Sequence, residues 1–211
     1  MNFISDKLQK YIEDHSMKES SLLKTLDRET HQKVLQPRML SGSYQGRLLA
    51  MLSKMISPKR ILEVGTYTGY ATLCLAEGLT EDGSIDTIDC NEELWDIQRR
   101  YFDESCYGSQ IVQYLGQATN VIKTLTGPYD LIFLDADKEN YPLYFDLVVD
   151  KLRSGGVILS DNVLWSGKVL EKGNDESTSA LQEYNHKINT DLRVETVVLP
   201  VRDGLTITRK R

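Results

Sequence analysis

The chain has 211 residues, of which 40% are hydrophobic and 27% charged, as in an ordinary folded protein with its own core. Its net charge of −6 disfavours a large nucleic-acid interface, and no run of about 18 apolar residues predicts a membrane span. The three cysteines (Cys74, Cys90 and Cys106) lack a CxxC spacing and are expected to be free thiols. The polar N-terminus has no signal-peptide core, which predicts a cytoplasmic protein.

The N-terminal quarter of the chain is predicted to be helical. Apolar residues recur at helical spacing in three segments of residues 2–56. Pro37 is expected to end the second segment. Residues 41–46 contain two glycines and two serines and predict a turn, which would lead into a third helix over residues 47–56.

From residue 60 onward, predicted strands alternate with predicted helices. The strands are expected at residues 60–64, 84–89, 110–115, 129–135, 157–161, 193–199 and 205–209. The helices are expected at residues 69–78, 91–107, 118–125, 140–153 and 176–189. This order is typical of an α/β protein with a Rossmann-like, doubly wound, mixed seven-stranded sheet, helices on both faces and a C-terminal antiparallel β-hairpin. We expect a single domain over residues 1–211, with residues 1–56 as a helical extension and residues 57–211 as the sheet core.

A glycine-containing turn follows the first strand. Residues 61–71 read ILEVGTYTGYA, a strand, a tight turn and the start of a helix. Ligands of open α/β sheets bind at the carboxyl ends of such strands. The pattern is E-x-G-x-x-x-G and not G-x-G-x-x-G, which disfavours a pyrophosphate site and an NAD-dependent oxidoreductase. Glu63 suits an amine-bearing ligand, and the alternatives are an ordinary βα turn and an exposed strand edge.

Acidic residues end four of the predicted strands: Glu63, Asp89, Asp135 and Asp161, the last followed by Asn162. The carboxyl ends of parallel strands share one edge of a sheet, so we expect these side chains to converge. Asp89 follows the glycine turn by about 20 residues, a position from which a carboxylate can accept hydrogen bonds from both hydroxyls of a ribose. The alternative for Asp89 is a helix cap or a turn.

Asp135, Asp161 and Asn162 offer two carboxylates and an amide carbonyl. Three hard oxygen ligands suit Mg²⁺, or Ca²⁺ or Mn²⁺. Lys138 lies three residues after Asp135 and is a candidate general base. The alternatives are that the Asp and Asn residues only form turns and that the lysine is only solvated.

The chain resembles the metal-dependent class I O-methyltransferases that use S-adenosylmethionine, a family that contains catechol and caffeoyl-CoA O-methyltransferases and their bacterial relatives. The residues that carry the resemblance are MLSGSYQGRLLAML (39–52), LEVGTYTGYAT (62–72), TIDCNEE (87–93), YDLIFLDADKENY (129–141), LRSGGVILSDNVLWSGKV (152–169) and LPVRDGLTITRK (199–210). The LDADK and SDNVLWSG segments, in this order and spacing, are the most specific of them.

The resemblance implies a role for each matching residue. The residues implied to contact S-adenosylmethionine are Ser41 at its methionine end, Glu63, Gly65 and Thr66 around its amino-acid part, Asp89 at its ribose, Ala118 at its adenine, and Ala71 and Asp135. Asp135, Asp161 and Asn162 match the divalent-metal ligands, with Mg²⁺ expected and Mn²⁺ or Ca²⁺ as alternatives. Lys138 matches the catalytic lysine.

Two residues depart from the family pattern. Ala71 replaces a serine that contacts the cofactor in some relatives, and Arg202 replaces a glycine that many relatives carry in the G-D-G-L turn near the acceptor. An arginine there could favour an anionic acceptor.

The implied activity is methyl transfer to a catechol-like small aromatic acceptor, for which Tyr141 and Trp165 could form an aromatic wall. The alternative acceptor is a hydroxylated uridine in tRNA. A catalytically dead binding module is disfavoured because Asp135, Lys138, Asp161 and Asn162 are all present. The resemblance also implies a homodimer.

Overall fold

The structure is a computed structural model that describes residues 4–172 and 175–211; the predictions for residues 2 and 3 lie outside these ranges. A seven-stranded sheet lies at its centre, in the order β3-β2-β1-β4-β5-β7-β6. The strands are β1 (Arg60–Val64), β2 (Ser84–Asp89), β3 (Ile111–Leu115), β4 (Tyr129–Leu134), β5 (Leu152–Asp161), β6 (Val194–Leu199) and β7 (Leu205–Lys210). Strands β1 to β5 are parallel, whereas β7 is antiparallel to both β5 and β6. The predicted mixed sheet and its C-terminal hairpin are confirmed.

Helices cover both faces of the sheet, as predicted. They are α1 (Asp6–Asp14), α2 (Ser21–Lys33), α3 (Gly42–Ile56), α4 (Tyr70–Ala76), α5 (Trp95–Glu104), α6 (Ala118–Thr124), α7 (Tyr141–Val148) and α8 (Glu176–Thr190). Helices α2 to α5 contribute to the core on one face, and α6 to α8 contribute to the core on the other. No helix in the described part of the chain is both long and apolar enough to cross a membrane.

The two cores arise from alternation along the central strands. Successive side chains of a strand point to opposite faces of the sheet. Leu131 and Phe133 therefore pack with α2 to α5, while Ile132 and Leu134 pack with α6 to α8, and all four are fully buried. Because β4 is buried on both sides, its sequence is an almost continuous apolar run.

The third helix begins earlier than its glycines suggest. It starts at Gly42 and not at Arg47, so the predicted turn over residues 41–46 is wrong. Gly46 lies inside the helix because α3 packs closely on α4: a Cβ atom there would stand 2.6 Å from Cε1 of Tyr70. The glycine reflects a close helix–helix contact and not a turn.

Strand β5 is also longer than predicted, beginning at Leu152 and not at Val157. Gly155 lies inside it with φ +74°, and the pairing with β4 shifts register between Tyr129 and Leu131. Glycine in a strand often marks such an irregularity, so Gly155 and Gly156, which precede the predicted strand, belong to β5.

Candidate active site

The site lies at the carboxyl ends of β2, β1, β4 and β5, which are neighbours in this order. Glu63 is the penultimate residue of β1, Asp89 and Asp161 end β2 and β5, and Asp135 follows β4. The parallel pairing of these strands places the four carboxylates along one edge of the sheet, as the sequence predicts.

Glu63 is fully buried and only partly satisfied. Its Oε2 accepts hydrogen bonds from the hydroxyls of Thr72 and Thr87, the latter at 2.6 Å. Its Oε1 has no partner among the described residues. Burial raises the pKa of Glu63 to about 8, and the carboxylates of Asp135 and Asp89 add to that rise. The exposed strand edge that the sequence left open is excluded, and the free oxygen is suited to receive a cationic group.

The turn after β1 is tightly closed around Gly65 and Thr66. Gly65 has φ +99° and its amide donates to the carbonyl oxygen of Ile88 at 3.0 Å. The side chain of Thr66 is buried, and its Oγ1 lies 2.6 Å from Oγ1 of Thr87. This turn therefore joins β1 to β2 at the edge where the acidic residues lie.

Each carboxylate oxygen of Asp89 accepts a hydrogen bond from a backbone amide. Oδ2 accepts from the amide of Tyr67 at 2.7 Å, and Oδ1 accepts from the amide of Asn91 at 2.8 Å. Each carboxylate oxygen has two lone pairs, so both can accept a further hydrogen bond. The helix-cap role belongs to Asn91, whose side chain accepts from the amide of Glu93 at 3.0 Å.

Three predicted cofactor contacts lie around this edge. Ser41 immediately precedes α3 and is buried. Ala71 is buried in α4 within the core on the α2–α5 side. Ala118 is the first residue of α6 and packs against the opposite core.

Asp161 is 1% exposed, and its two oxygens differ in environment. Oδ2 accepts from Nε2 of Gln45 at 2.8 Å, whereas Oδ1 is buried without a partner among the described residues. Burial raises the pKa of Asp161, and the carboxylate of Asp135 raises it further. Asn162 follows directly, in the left-handed region with φ +60°.

The structure tests whether this donor set fits a metal ion. Among residues 4–172 and 175–211, no group of three His, Cys, Asp or Glu side chains is arranged to hold one. A site at this edge therefore needs the amide oxygen of Asn162 beside the carboxylates of Asp135 and Asp161. A buried, unpaired Oδ1 on Asp161 is the kind of atom that a hard cation satisfies, so the residues present fit such an ion.

Lys138 is almost buried, which excludes the solvated loop lysine that the sequence left open. Its Nζ donates to Oδ1 of Asp135 at 3.0 Å and to the hydroxyl oxygen of Tyr141 at 2.8 Å. The Tyr141 hydroxyl in turn lies 2.9 Å from the carbonyl oxygen of Asp161 and 3.1 Å from that of Leu134. The amine is thus held between the ends of β4 and β5.

The two aromatic residues expected near the acceptor occupy different environments. Tyr141 is fully buried, and its ring meets that of Tyr184 edge-on with centroids 5.3 Å apart, so it packs in the core and does not form a wall. Trp165 is half-buried, and its indole Nε1 has no hydrogen-bond partner within the described ranges.

Gln45 and Arg202 are two residues of the site that the sequence reasoning did not connect. Besides its bond to Asp161, Gln45 accepts from Nη1 of Arg202 at 3.2 Å. The same guanidinium nitrogen donates to the carbonyl oxygen of Ser41. Arg202 stands out in the sequence because it replaces the glycine of the G-D-G-L turn, whereas Gln45 falls in the segment predicted to be a turn and carries no signal of its own.

A cavity of about 640 Å³ opens beside these residues. It is lined by α1 and α2, by the start of α3 and by the β6–β7 turn; its lining residues include Glu13, His31, Arg38, Ser41, Gln45 and Arg202. The cavity therefore borders the residue that bonds Asp161.

Comparisons with known proteins agree with this arrangement. A family model described as O-methyltransferase matches residues 13–211. Caffeoyl-CoA O-methyltransferase 1 of Arabidopsis thaliana is 34% identical over 221 residues, covering 98% of this chain and 85% of the relative. A methyltransferase of Podospora anserina, bound to SAH, has a TM-score of 0.90 at 29% identity and covers 100% of this chain and 98% of its own. An O-methyltransferase of Bacillus cereus in complex with SAH has a TM-score of 0.91 at 27% identity, with 97% of each chain covered. The chain therefore belongs to the O-methyltransferase family.

Proposed function

We propose that this protein transfers the methyl group of S-adenosylmethionine to a hydroxyl of a catechol-like aromatic acceptor, with a divalent cation at the reacting centre. The observation that carries the proposal is the placement of Lys138: its Nζ lies 3.0 Å from Oδ1 of Asp135 and bonds the Tyr141 hydroxyl, which in turn bonds the backbone of Asp161. Oδ1 of Asp161 is buried and unpaired among the described residues. A proton acceptor and two carboxylates at adjacent strand ends are the parts that such a reaction requires.

The edge formed by β1 and β2 would hold S-adenosylmethionine. The free Oε1 of Glu63 can accept from the ammonium group of its amino-acid part. Asp89 keeps lone pairs for the ribose hydroxyls, and Ala118 begins the helix after β3, where the adenine is expected. The SAH-bound neighbours from Podospora anserina and Bacillus cereus support this assignment.

Asp135, Asp161 and Asn162 would hold the cation, with Mg²⁺ as our first choice for an all-oxygen set. When bound, such an ion lowers the pKa of an acceptor hydroxyl and orients it. The role of this chain is to present three oxygens at the ends of two adjacent strands.

Lys138 would remove the proton of the acceptor hydroxyl. The hydroxyl oxygen then forms a bond to the methyl carbon as the carbon–sulfur bond breaks, and the electron pair of that bond stays on sulfur. The negative oxygen and the positive sulfonium neutralise each other in this step, so the main task of the protein is orientation. The contacts of Lys138 with Asp135 and Tyr141 fix its amine for that task.

The similarity to caffeoyl-CoA O-methyltransferase supports an aromatic vicinal diol as the acceptor class. The cavity of about 640 Å³ beside Gln45 and Arg202 offers space for a substituent of the ring. The net charge of −6 gives no support to a tRNA acceptor.

The test is methyl transfer from labelled S-adenosylmethionine to caffeic acid with Mg²⁺ or with EDTA. We expect transfer that EDTA abolishes and added Mg²⁺ restores, and we expect Asp161→Asn to reduce it strongly. Methyl transfer at the same rate with and without EDTA would exclude the metal-dependent mechanism. Binding of S-adenosylmethionine without transfer to any vicinal diol would exclude the catechol assignment and make tRNA the next acceptor to assay.

A further inference from the structure

Gln45 is a fully buried polar side chain that links two distant parts of the chain. It lies on α3, and its amide bonds Asp161, which is 116 residues away, and Arg202, which is 157 residues away. Neither bond belongs to the regular hydrogen bonding of a helix or a sheet. A buried amide is costly unless it is hydrogen-bonded, and here its two partners are Asp161 and Arg202.

Asp161 and Arg202 together determine which way this amide points. A guanidinium has only donors, so the Gln45 atom that faces Nη1 of Arg202 must be the carbonyl oxygen Oε1, at 3.2 Å. A carboxylate has only acceptors, so the NH₂ group must face Asp161, where Nε2 lies 2.8 Å from Oδ2. Without the arginine, Oε1 loses this donor and Asp161 alone orients the amide.

The bond from Gln45 occupies one oxygen of Asp161 and leaves the other free. Oδ2 is engaged, whereas Oδ1 is buried and unpaired in the described structure. Tilting the plane of the carboxylate would break the bond to Gln45, so that bond fixes the plane and leaves one of the two equivalent oxygens available. Asp161 is the last residue of β5, and no other donor to its side chain is found among residues 4–172 and 175–211.

We propose that Gln45 is a positioning residue for Asp161 and that Arg202 is the residue that orients Gln45. Together they hold Oδ1 of Asp161 ready for the divalent cation, an inference that rests on the metal site of the proposed function. Arg202 lies in the turn between β6 and β7 and lines the cavity beside the site. The conformation of that turn is therefore coupled to the geometry of the cation site.

The experiment measures the affinity of the full-length protein for Mn²⁺ by electron paramagnetic resonance, in the absence of substrates. The variants are Gln45→Met, Arg202→Met and the double variant. Gln110→Met is the matched control, because Gln110 bonds the backbone carbonyls of Thr80 and Gly83 at the opposite edge of the sheet. Thermal unfolding in EDTA verifies that each variant is folded, and kcat and KM are measured at saturating Mn²⁺.

We expect Gln45→Met to weaken Mn²⁺ binding by about 10- to 100-fold, the range found for residues that orient metal ligands. Arg202→Met should weaken it less, because Gln45 still donates to Asp161 and loses only the guanidinium that bonds its oxygen. The double variant should bind as Gln45→Met does, since the arginine acts through the glutamine. Saturating Mn²⁺ should restore most of kcat, whereas KM for S-adenosylmethionine should stay constant.

Three outcomes would overturn the inference. Unchanged Mn²⁺ affinity in Gln45→Met would do so, as would additive losses in the double variant. A wild-type protein that binds no Mn²⁺ would remove the metal site itself and, with it, the inference. The first two outcomes would leave the proposed function standing, because the wild-type protein would still bind the ion. If Gln45→Met is unfolded, the Mn²⁺ affinity of Arg202→Met tests the inference instead. Arg202 is exposed, so we expect this variant to fold.

Discussion

A Cβ atom on Gly65 would overlap the backbone carbonyl oxygen of Asp135. The ends of β1 and β4 approach closely here, and the amide of Asp135 donates to the carbonyl oxygen of Val64 at 2.8 Å. Gly65 also has φ +99°, a conformation that other residues rarely adopt. This contact sets the distance between the strand end that carries Glu63 and the one that carries Asp135, so the glycine is needed for the shape of the site.

The first prediction concerns Gly65→Ala. We expect the free energy of unfolding to fall by at least about 2 kcal/mol, because both backbone strain and overlap oppose the new methyl group. Gly42→Ala is the control: Gly42 also has positive φ, +76°, but a Cβ atom there would meet nothing within 4 Å. Urea unfolding of both variants separates the cost of backbone strain from the cost of overlap with Asp135. Equal losses at Gly42 and Gly65 would show that the overlap contributes nothing.

The second prediction concerns the pH dependence of stability. Burial raises the pKa of Glu63 to about 8, whereas the unfolded chain loses this proton near 4.5. Between these two values the folded state holds more protons than the unfolded state, so the free energy of unfolding falls as pH rises. In the wild-type protein we expect the free energy of unfolding to fall by on the order of a few kcal/mol between pH 5 and pH 8. In Glu63→Gln this fall should be absent. Urea unfolding in EDTA at several pH values measures it, and identical slopes in the two proteins would contradict the raised pKa.

The strand-end acids were predictable because parallel strands have a simple rule: their carboxyl ends share an edge. Glu63 and Asp161 follow apolar runs whose strand character is clear from the sequence, and the rule then brings them to one edge. Which oxygen of each carboxylate is free depends on Thr72, Thr87 and Gln45, and these contacts arise only when helices pack on the sheet.

The connection between Gln45 and Arg202 could not be predicted from local pattern. The two residues are 157 positions apart, and neither belongs to a spacing that a helix or a strand imposes. Gly42 and Gly46 are typical of a turn, so the sequence does not predict that the segment with Gln45 is helical. Close packing of α3 on Tyr70 explains Gly46, and such a contact is visible only in the tertiary structure.

The third prediction is that Lys138→Met lowers kcat by about 10²- to 10⁴-fold, the usual contribution of a general base. Methionine preserves much of the volume of the side chain but has no amine. Binding of S-adenosylmethionine should persist, because the amine does not bond Glu63 or Asp89, which would hold the amino-acid part and the ribose. Single-turnover methyl transfer at neutral pH is the measurement. Lys151→Met is the control, since Lys151 bonds the carbonyl oxygen of Leu125 away from the site. A rate within a few-fold of wild type would exclude the base role.

The fourth prediction is that Tyr141→Phe lowers both stability and kcat. Burial raises the pKa of Tyr141 well above its usual value, so its hydroxyl remains protonated. It accepts from Lys138 and shares its one proton between the carbonyl oxygens of Leu134 and Asp161. Loss of the hydroxyl should cost about 1 to 3 kcal/mol, because these buried groups lose a partner.

The effect on kcat follows from a different contact and therefore needs its own control. Tyr184→Phe removes an equally buried hydroxyl, which bonds Oγ of Ser160 and does not touch Lys138. We expect similar losses of stability in the two variants, measured by urea unfolding, but a fall in kcat only for Tyr141→Phe. Only that variant leaves the amine of Lys138 with Asp135 as its single hydrogen-bond partner among the described residues. Equal kcat values in the two variants would mean that Tyr141 supports the fold and that Asp135 alone orients the base.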